Sequence, residues 1–138
     1  MGSRVVQSER LPVACEDDIV VVRRRVRSLA QEKGFGTFAV AAITTAASEL
    51  ARNVWTHAGQ GYVDLEVLLD SDRAGLRLRF EDQGPGIRDV DRALAGGYST
   101  AKSLGLGLSG SRRLVDEFTL DSEPGAGTRV TVLKWVRL

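Results

Sequence analysis

The run Ser48-Glu49-Leu50-Ala51-Arg52-Asn53 sits inside a helical pattern in which Ile43, Ala47, Leu50 and Val54 recur on one face. Glu49, Arg52 and Asn53 are spaced i, i+3 and i+4, so they share a second face, well round from the apolar one, together with Thr45 and Thr56. That face carries a carboxylate able to take a proton, a fixed cation and an amide oxygen able to hold a hard metal. Downstream stand Asp82-Gln83-Gly84-Pro85-Gly86-Ile87 and Gly105-Leu106-Gly107-Leu108-Ser109-Gly110. A base, a metal ligand, an acid ahead of a glycine turn and a glycine-rich helix start are the parts of a nucleotide site. Their order along the chain carries more weight than any one of them.

Working outward, Arg4 to Val13 reads as a first strand ending near Pro12. Glu16, Asp17 and Asp18 open a helix with the stripe Ile19, Val22, Val26, Leu29 and Ala30, and Gly34 closes it. Thr37 is the expected cap of the second helix, which runs to about Ala58 and stops at Gly59 and Gly61. Tyr62 to Leu69 and Leu76 to Phe80 read as a hairpin turning over Ser71 to Gly75. A short helix over Asp89 to Leu94, a loop over Gly96 to Ser103, and a helix from Gly107 to Glu117 follow. A closing hairpin pairs Phe118–Ser122 with Thr128–Arg137 across Pro124-Gly125-Ala126-Gly127. Helices and hairpins are segregated along the chain. The expected class is therefore α+β: a two-layer α/β sandwich with a mixed, mainly antiparallel sheet and helices on one face.

Bulk composition narrows the partners. A chain of 138 residues suits one domain, here expected over 1–138, and its 43% hydrophobic and 27% charged residues are ordinary for a globular protein. A formal net charge of +1 and only 6% aromatic residues give no reason to expect nucleic acid. No apolar run reaches membrane-spanning length and no signal peptide opens the chain, so no membrane association is expected. The single cysteine, Cys15, excludes an internal disulfide and fits a cytoplasmic protein.

The chemistry of each motif has a plainer alternative beside it. Asp82 at a strand end can accept from an adenine amino group and reject the guanine carbonyl, with Gly84 and Gly86 letting the backbone approach. Alone, Asp-x-Gly-Pro-Gly reads first as a surface turn, because such turns are common. Gly105 and Gly107 at a helix start can present amides to phosphate, or merely ease entry to the helix. The surrounding order lacks the βαβ unit of a dinucleotide fold. Glu49 is a candidate general base for a water or a protein hydroxyl attacking a γ-phosphate, and Asn53 a candidate Mg²⁺ ligand. Arg52 can pair with Glu49, meet a phosphate, or face solvent or a partner. Ser99, Thr100 and Lys102 lie in a loop able to close over phosphates. Thr128 either reaches the adenine pocket or serves β-propensity. Arg23, Arg24, Arg25 and Arg27 read as the solvated side of the first helix, and His57 as a complement to the second helix's dipole.

Taken together, these motifs resemble the Bergerat nucleotide-binding fold of the GHKL superfamily. Glu49 to Asn53 stands as its N box, Asp82 to Ile87 as its G1 box, Gly105 to Gly110 as its G2 box, and Gly127-Thr128 as its last box. Gly34-Phe35-Gly36-Thr37, Ile43-Thr44-Thr45-Ala46, Ser48-Glu49-Leu50-Ala51-Arg52-Asn53, Glu81-Asp82-Gln83-Gly84-Pro85-Gly86-Ile87, Gly97-Tyr98-Ser99-Thr100, Asp116-Glu117-Phe118 and Lys134-Trp135 narrow the resemblance to the RsbT family of bacterial serine/threonine-protein kinases. That resemblance implies ATP and Mg²⁺ as cofactors and a STAS-domain antagonist protein as substrate. It also implies a partner-switching or stressosome pathway, with a PP2C-type phosphatase activated on release. It assigns Glu49 as base, Asn53 as metal ligand, Asp82 as adenine reader, and Gly84, Gly86, Gly105 and Gly107 as shapers of the nucleotide pocket. Ala101-Lys102-Ser103 departs from the family's smaller, glycine-rich lid, which bears on turnover.

Four alternatives share parts of this pattern, of which a gyrase- or MutL-like ATPase would need a transducer domain that 138 residues are not expected to hold. An anti-sigma factor of the RsbW or SpoIIAB kind would sequester a sigma factor, and the Glu-Leu-Ala-Arg-Asn form leans away from it. A histidine kinase would need a phosphoacceptor helical pair ahead of the first strand. A non-catalytic nucleotide-binding adaptor would not need Glu49 and Asn53 intact. Related switch proteins pair, so a homodimer belongs with these expectations, although no dimer seam is legible.

Overall fold

The computed structural model describes residues 2–87 and 107–137. Their order is β1 (Arg4–Val13), α1 (Glu16–Glu32), α2 (Thr37–Ala58), β2 (Gly61–Asp70), β3 (Arg73–Asp82), α3 (Gly107–Arg113), β4 (Glu117–Ser122) and β5 (Thr128–Arg137). The expected helix over Asp89–Leu94 and the loop bearing Ser99, Thr100, Lys102 and Gly105 lie outside the described residues.

The five strands form one sheet in the order β1-β2-β3-β5-β4. All four pairings are antiparallel, the limiting form of the mainly antiparallel sheet expected. β3 is central, and it is longer at both ends than its apolar run Leu76–Phe80. Pairing with β2 on one side and β5 on the other carries the polar ends Arg73 and Asp82 into the ladder. The β2–β3 turn contracts to Ser71-Asp72, with Ser71 in the left-handed region at φ 52°. β1 continues through Pro12 to Val13. It is an edge strand, where the missing N–H of proline removes no ladder bond on the open side.

Alternation along the strands puts Val63, Leu65, Val67, Leu76, Leu78, Phe80, Val130 and Val132 on one face. The predicted stripes of α1 and α2 pack onto that face, and Leu29, Ile43, Leu50, Leu65, Leu78 and Phe80 are sealed from solvent. The core is thus a helix layer on a sheet layer. α2 begins after Gly36 without a side-chain cap, so Thr37 is its first residue and not its cap. At the start of α1, the N-cap residue is Cys15, and Asp18 accepts from the Ala14 backbone N–H at 2.8 Å.

The other face of the sheet is open and charged. Arg10–Asp64, Arg77–Glu66 and Arg129–Glu81 pair across neighbouring strands at 2.7, 2.7 and 2.8 Å. A small apolar patch interrupts them, where the Trp135 ring lies so close over Gly75 that an added Cβ would sit 2.8 Å from it. Arg73 covers the same ring at 3.8 Å from its centroid. On α1, Arg23, Arg24 and Arg27 are exposed as expected, whereas Arg25 forks onto Glu9 of β1 with bonds of 2.7–3.0 Å. α3 ends at Arg113 and not at Glu117, for a tertiary reason. The Asp116 N–H donates to the Leu133 carbonyl, and its carboxylate accepts from Trp135 N, so the chain is drawn into the sheet.

Leu50→Ala should cost about 2–5 kcal/mol, because its side chain is 1% exposed and the packed helix cannot collapse onto the gap. Arg25→Ala should cost about 1 kcal/mol or less, since both partners of its ion pair remain in contact with water. Denaturant midpoints of the two variants would separate core packing from surface pairing.

Candidate functional site

α2 carries the first part of the site. Its buried residues are Ile43, Ala46, Ala47, Leu50, Ala51 and Val54. That leaves Glu49 and Asn53 half-buried on one flank, one helical turn apart, with Arg52 farther round toward solvent. Among the described residues no ion pair joins Glu49 to Arg52, and the side chains of Glu49, Arg52 and Asn53 engage none of their neighbours. The local salt bridge that the sequence allowed is therefore not formed between these side chains.

The second part is the turn after β3. Asp82 ends the central strand at 8% exposure, one of the two buried polar or charged residues among those described. Its Oδ1 accepts from the Gly84 N–H at 2.9 Å, which folds the Gly84 turn back on the carboxylate. Burial pushes the Asp82 carboxyl above the ordinary aspartate range. The N–H groups of Gly84 and Thr128 and the nearby His57 act in the opposite direction. Its neighbour Glu81 points to the open face and behaves oppositely. Hydrogen bonds from Arg129 and then Tyr62 hold its carboxyl below the usual range. Two consecutive carboxyl groups are driven apart solely by the side of the sheet each one faces.

Close backbone packing joins these parts. A Cβ on Gly84 would stand 2.6 Å from Ala58 Cβ, so the turn seats directly on the end of α2. Gly86, at φ 77°, faces the Glu123 carbonyl, and Gly127, at φ 84°, faces the Asp82 carbonyl, each too closely for any side chain. Gly125 donates to the Pro85 carbonyl at 2.7 Å. The Asp82–Ile87 turn and the β4–β5 turn are thereby clasped together. Thr128 begins β5 directly opposite Asp82. A cavity of about 360 Å³ opens there, lined among others by Asp82, Leu120, Ser122, Gly127 and Thr128. Gly107 opens α3, which packs against α2.

Of the residues singled out from sequence, Asp82, Gly84, Gly86 and Thr128 come together at one end of the sheet, and Glu49 and Asn53 lie on the helix that abuts it. Ser99, Thr100, Lys102 and Gly105 lie outside the described residues. Sequence reading passed over Ser122, whose hydroxyl accepts from Ile87 N at 2.7 Å and lies 2.9 Å from Thr128 Oγ1. A lone serine at a strand end carries no periodic signal, so only strand register could reveal it.

Two consequences are measurable. Gly127→Ala should destabilise more than Gly125→Ala in urea titrations. Both occupy left-handed backbone, costing about 1–2 kcal/mol for a side chain, but only Gly127 is also blocked by neighbouring backbone. For Asp82, a carboxyl raised on folding binds more protons folded than unfolded, so its contribution to stability falls as pH rises through and above the ordinary aspartate range. Asp82→Asn should therefore gain melting temperature relative to the parent at pH 7, and that advantage should vanish as pH falls below the ordinary aspartate range.

Residues 11–134 match the model of the histidine kinase-like ATPase domain. The chain is 47% identical over 125 residues to the serine/threonine-protein kinase RsbT of Bacillus subtilis, covering 91% of this chain and 94% of that one. It is 34% identical over 97 residues to an anti-sigma F factor of Halalkalibacterium halodurans, covering 67% and 66%. In fold it is similar to the RsbU and RsbW domains of a Mycobacterium tuberculosis protein, with TM-score 0.62 and 18% identity over 94% of this chain and 32% of that one. The chain belongs to the histidine kinase-like ATPase family and, within it, to the RsbT-type serine/threonine-protein kinases.

Proposed function

We propose that this kinase transfers the γ-phosphoryl group of ATP to a serine or threonine of a small STAS-domain antagonist protein, as the catalytic half of a bacterial partner switch. The observation that carries the reading is the placement of Glu49 and Asn53 one turn apart on α2. Neither side chain is engaged by the described residues, and the end of α2 seats the Asp82–Gly84 turn.

In this reading Asp82 and Thr128 face the adenine, with the glycines of both turns admitting the base close to the backbone. Asn53 offers one neutral oxygen donor, which fits Mg²⁺ held mainly by phosphates and water; when bound, the ion neutralises charge on those phosphates. Glu49 takes the proton of the substrate hydroxyl as its oxygen bonds to the γ-phosphorus. The bond to the β,γ-bridging oxygen breaks, leaving ADP and the phosphorylated residue. A protein substrate also suits the surface: Phe38, in the first turn of α2, is 92% exposed, an unusual setting for a large aromatic outside an interface. Release of the kinase from its phosphorylated partner would free it for a second one, and a PP2C-type phosphatase is the candidate. Likeness to anti-sigma F factors supports one rival, in which a sigma factor is the sequestered partner.

The test is transfer of label from Mg-ATP to STAS-domain proteins of the same genome. Glu49→Ala should lower transfer about 10²–10⁴-fold while ATP affinity stays within about threefold. Full transfer by the variant would remove Glu49 as base. Tight ATP binding with no transfer to any STAS protein, and a sigma factor retained on the kinase, would favour the sequestering reading.

A further inference from the structure

We infer that Ser122 is a positioning residue that sets the hydrogen-bond polarity of Thr128 and thereby the nucleobase selectivity of the pocket; this rests on reading Asp82 and Thr128 as the base-recognising pair.

The argument is an accounting of protons. The Ser122 hydroxyl has one proton to donate and room to accept two. It lies at 2.7 Å from the Ile87 nitrogen, which can only donate, and at 3.1 Å from the Gly127 carbonyl oxygen, which can only accept. Both contacts are hydrogen bonds together only when its single proton goes to Gly127 and one acceptor position is taken by Ile87. The third neighbour is Thr128 Oγ1 at 2.9 Å, a hydroxyl able to act either way. With the serine proton spent, the proton between the two hydroxyls must come from Thr128. All three places on Ser122 are then filled.

Committing the Thr128 proton inward leaves only lone pairs on Thr128 Oγ1 for the cavity. Asp82, directly opposite on the neighbouring strand and lining the same cavity, is an acceptor too when ionised. Two acceptors side by side suit a purine with an amino group at position 6. They repel one with a carbonyl there, whose oxygen would be left facing oxygen. Ser122 also lines the cavity but, with its three places filled, offers a base no hydrogen bond. It acts through Thr128, and it holds the two turns in register by joining Ile87 to Gly127.

A purely structural role would weaken every nucleotide alike, so the readout is a ratio. Equilibrium affinities for ATP and for inosine triphosphate, which carries a 6-oxo group, would be measured by calorimetry on the wild type, Ser122→Ala and Ser122→Thr. Melting curves would verify that each variant is folded. The wild type should prefer ATP by about tenfold or more. Ser122→Ala frees the Thr128 proton to turn toward the cavity, and the preference should narrow by about fivefold or more. Ser122→Thr, which keeps the hydroxyl, should restore it. Ser122→Cys, close in size but a weak donor and acceptor, is read in the same way if the alanine variant fails to fold.

A preference that is large in the wild type and unchanged in Ser122→Ala, with both affinities falling together, would overturn the role of Ser122 and leave the base-recognising pair standing. Equal binding of the two nucleotides by the wild type would overturn the pair itself, and the inference with it.

Discussion

The buried carboxylate of Asp82 at the end of the central strand is the constraint around which this molecule is arranged. Removing an ionisable group from water is costly unless hydrogen bonds replace the lost hydration. Here the replacement comes from backbone, principally the Gly84 N–H at 2.9 Å, with Thr128 opposing it across the sheet. Backbone can approach that closely only where side chains are absent. Gly84 rests against Ala58, and Gly127 against the carbonyl of Asp82 itself. The glycines are consequences of the buried acid, and the nearness of α2 to the turn is a consequence of the glycines.

Sidedness of the sheet does the rest. The inner face carries apolar residues that hold α1 and α2, and so aims the polar flank of α2 past the end of β3. The outer face is laced with ion pairs of individually small worth, such as Arg10–Asp64 and Arg77–Glu66. Glu81 and Asp82 mark the boundary. Consecutive in sequence and alike in chemistry, they differ because one meets Arg129 and Tyr62 on the open face of the sheet while the other meets the interior.

Much of this was legible beforehand. The stripes of α1 and α2, the β2–β3 hairpin and the closing hairpin follow from periods of 3.6 and 2 that any window of the chain displays. The polar flank of α2 stood out because Glu49 and Asn53 fall away from the Leu50 stripe. Element ends were less legible. β3 outruns its apolar core because paired neighbours extend it, α3 stops early because Asp116 is captured by β5, and Thr37 starts α2 without capping it. Those are contacts with distant residues, to which local pattern is blind.

By itself the sequence determined the class of fold, the identity of the helix that carries Glu49 and Asn53, and the glycine turn after Asp82, since each is encoded among residues a few positions apart. Tertiary structure alone decided that β5 inserts between β3 and β4, which sets Thr128 against Asp82, 46 positions away, and brings Ser122 within reach of Ile87 across 35 residues. It alone decided that Asp82 is pushed up and Glu81 held down. The reason is physical: periodicity selects a face, but only the register of paired strands selects which distant residue shares it.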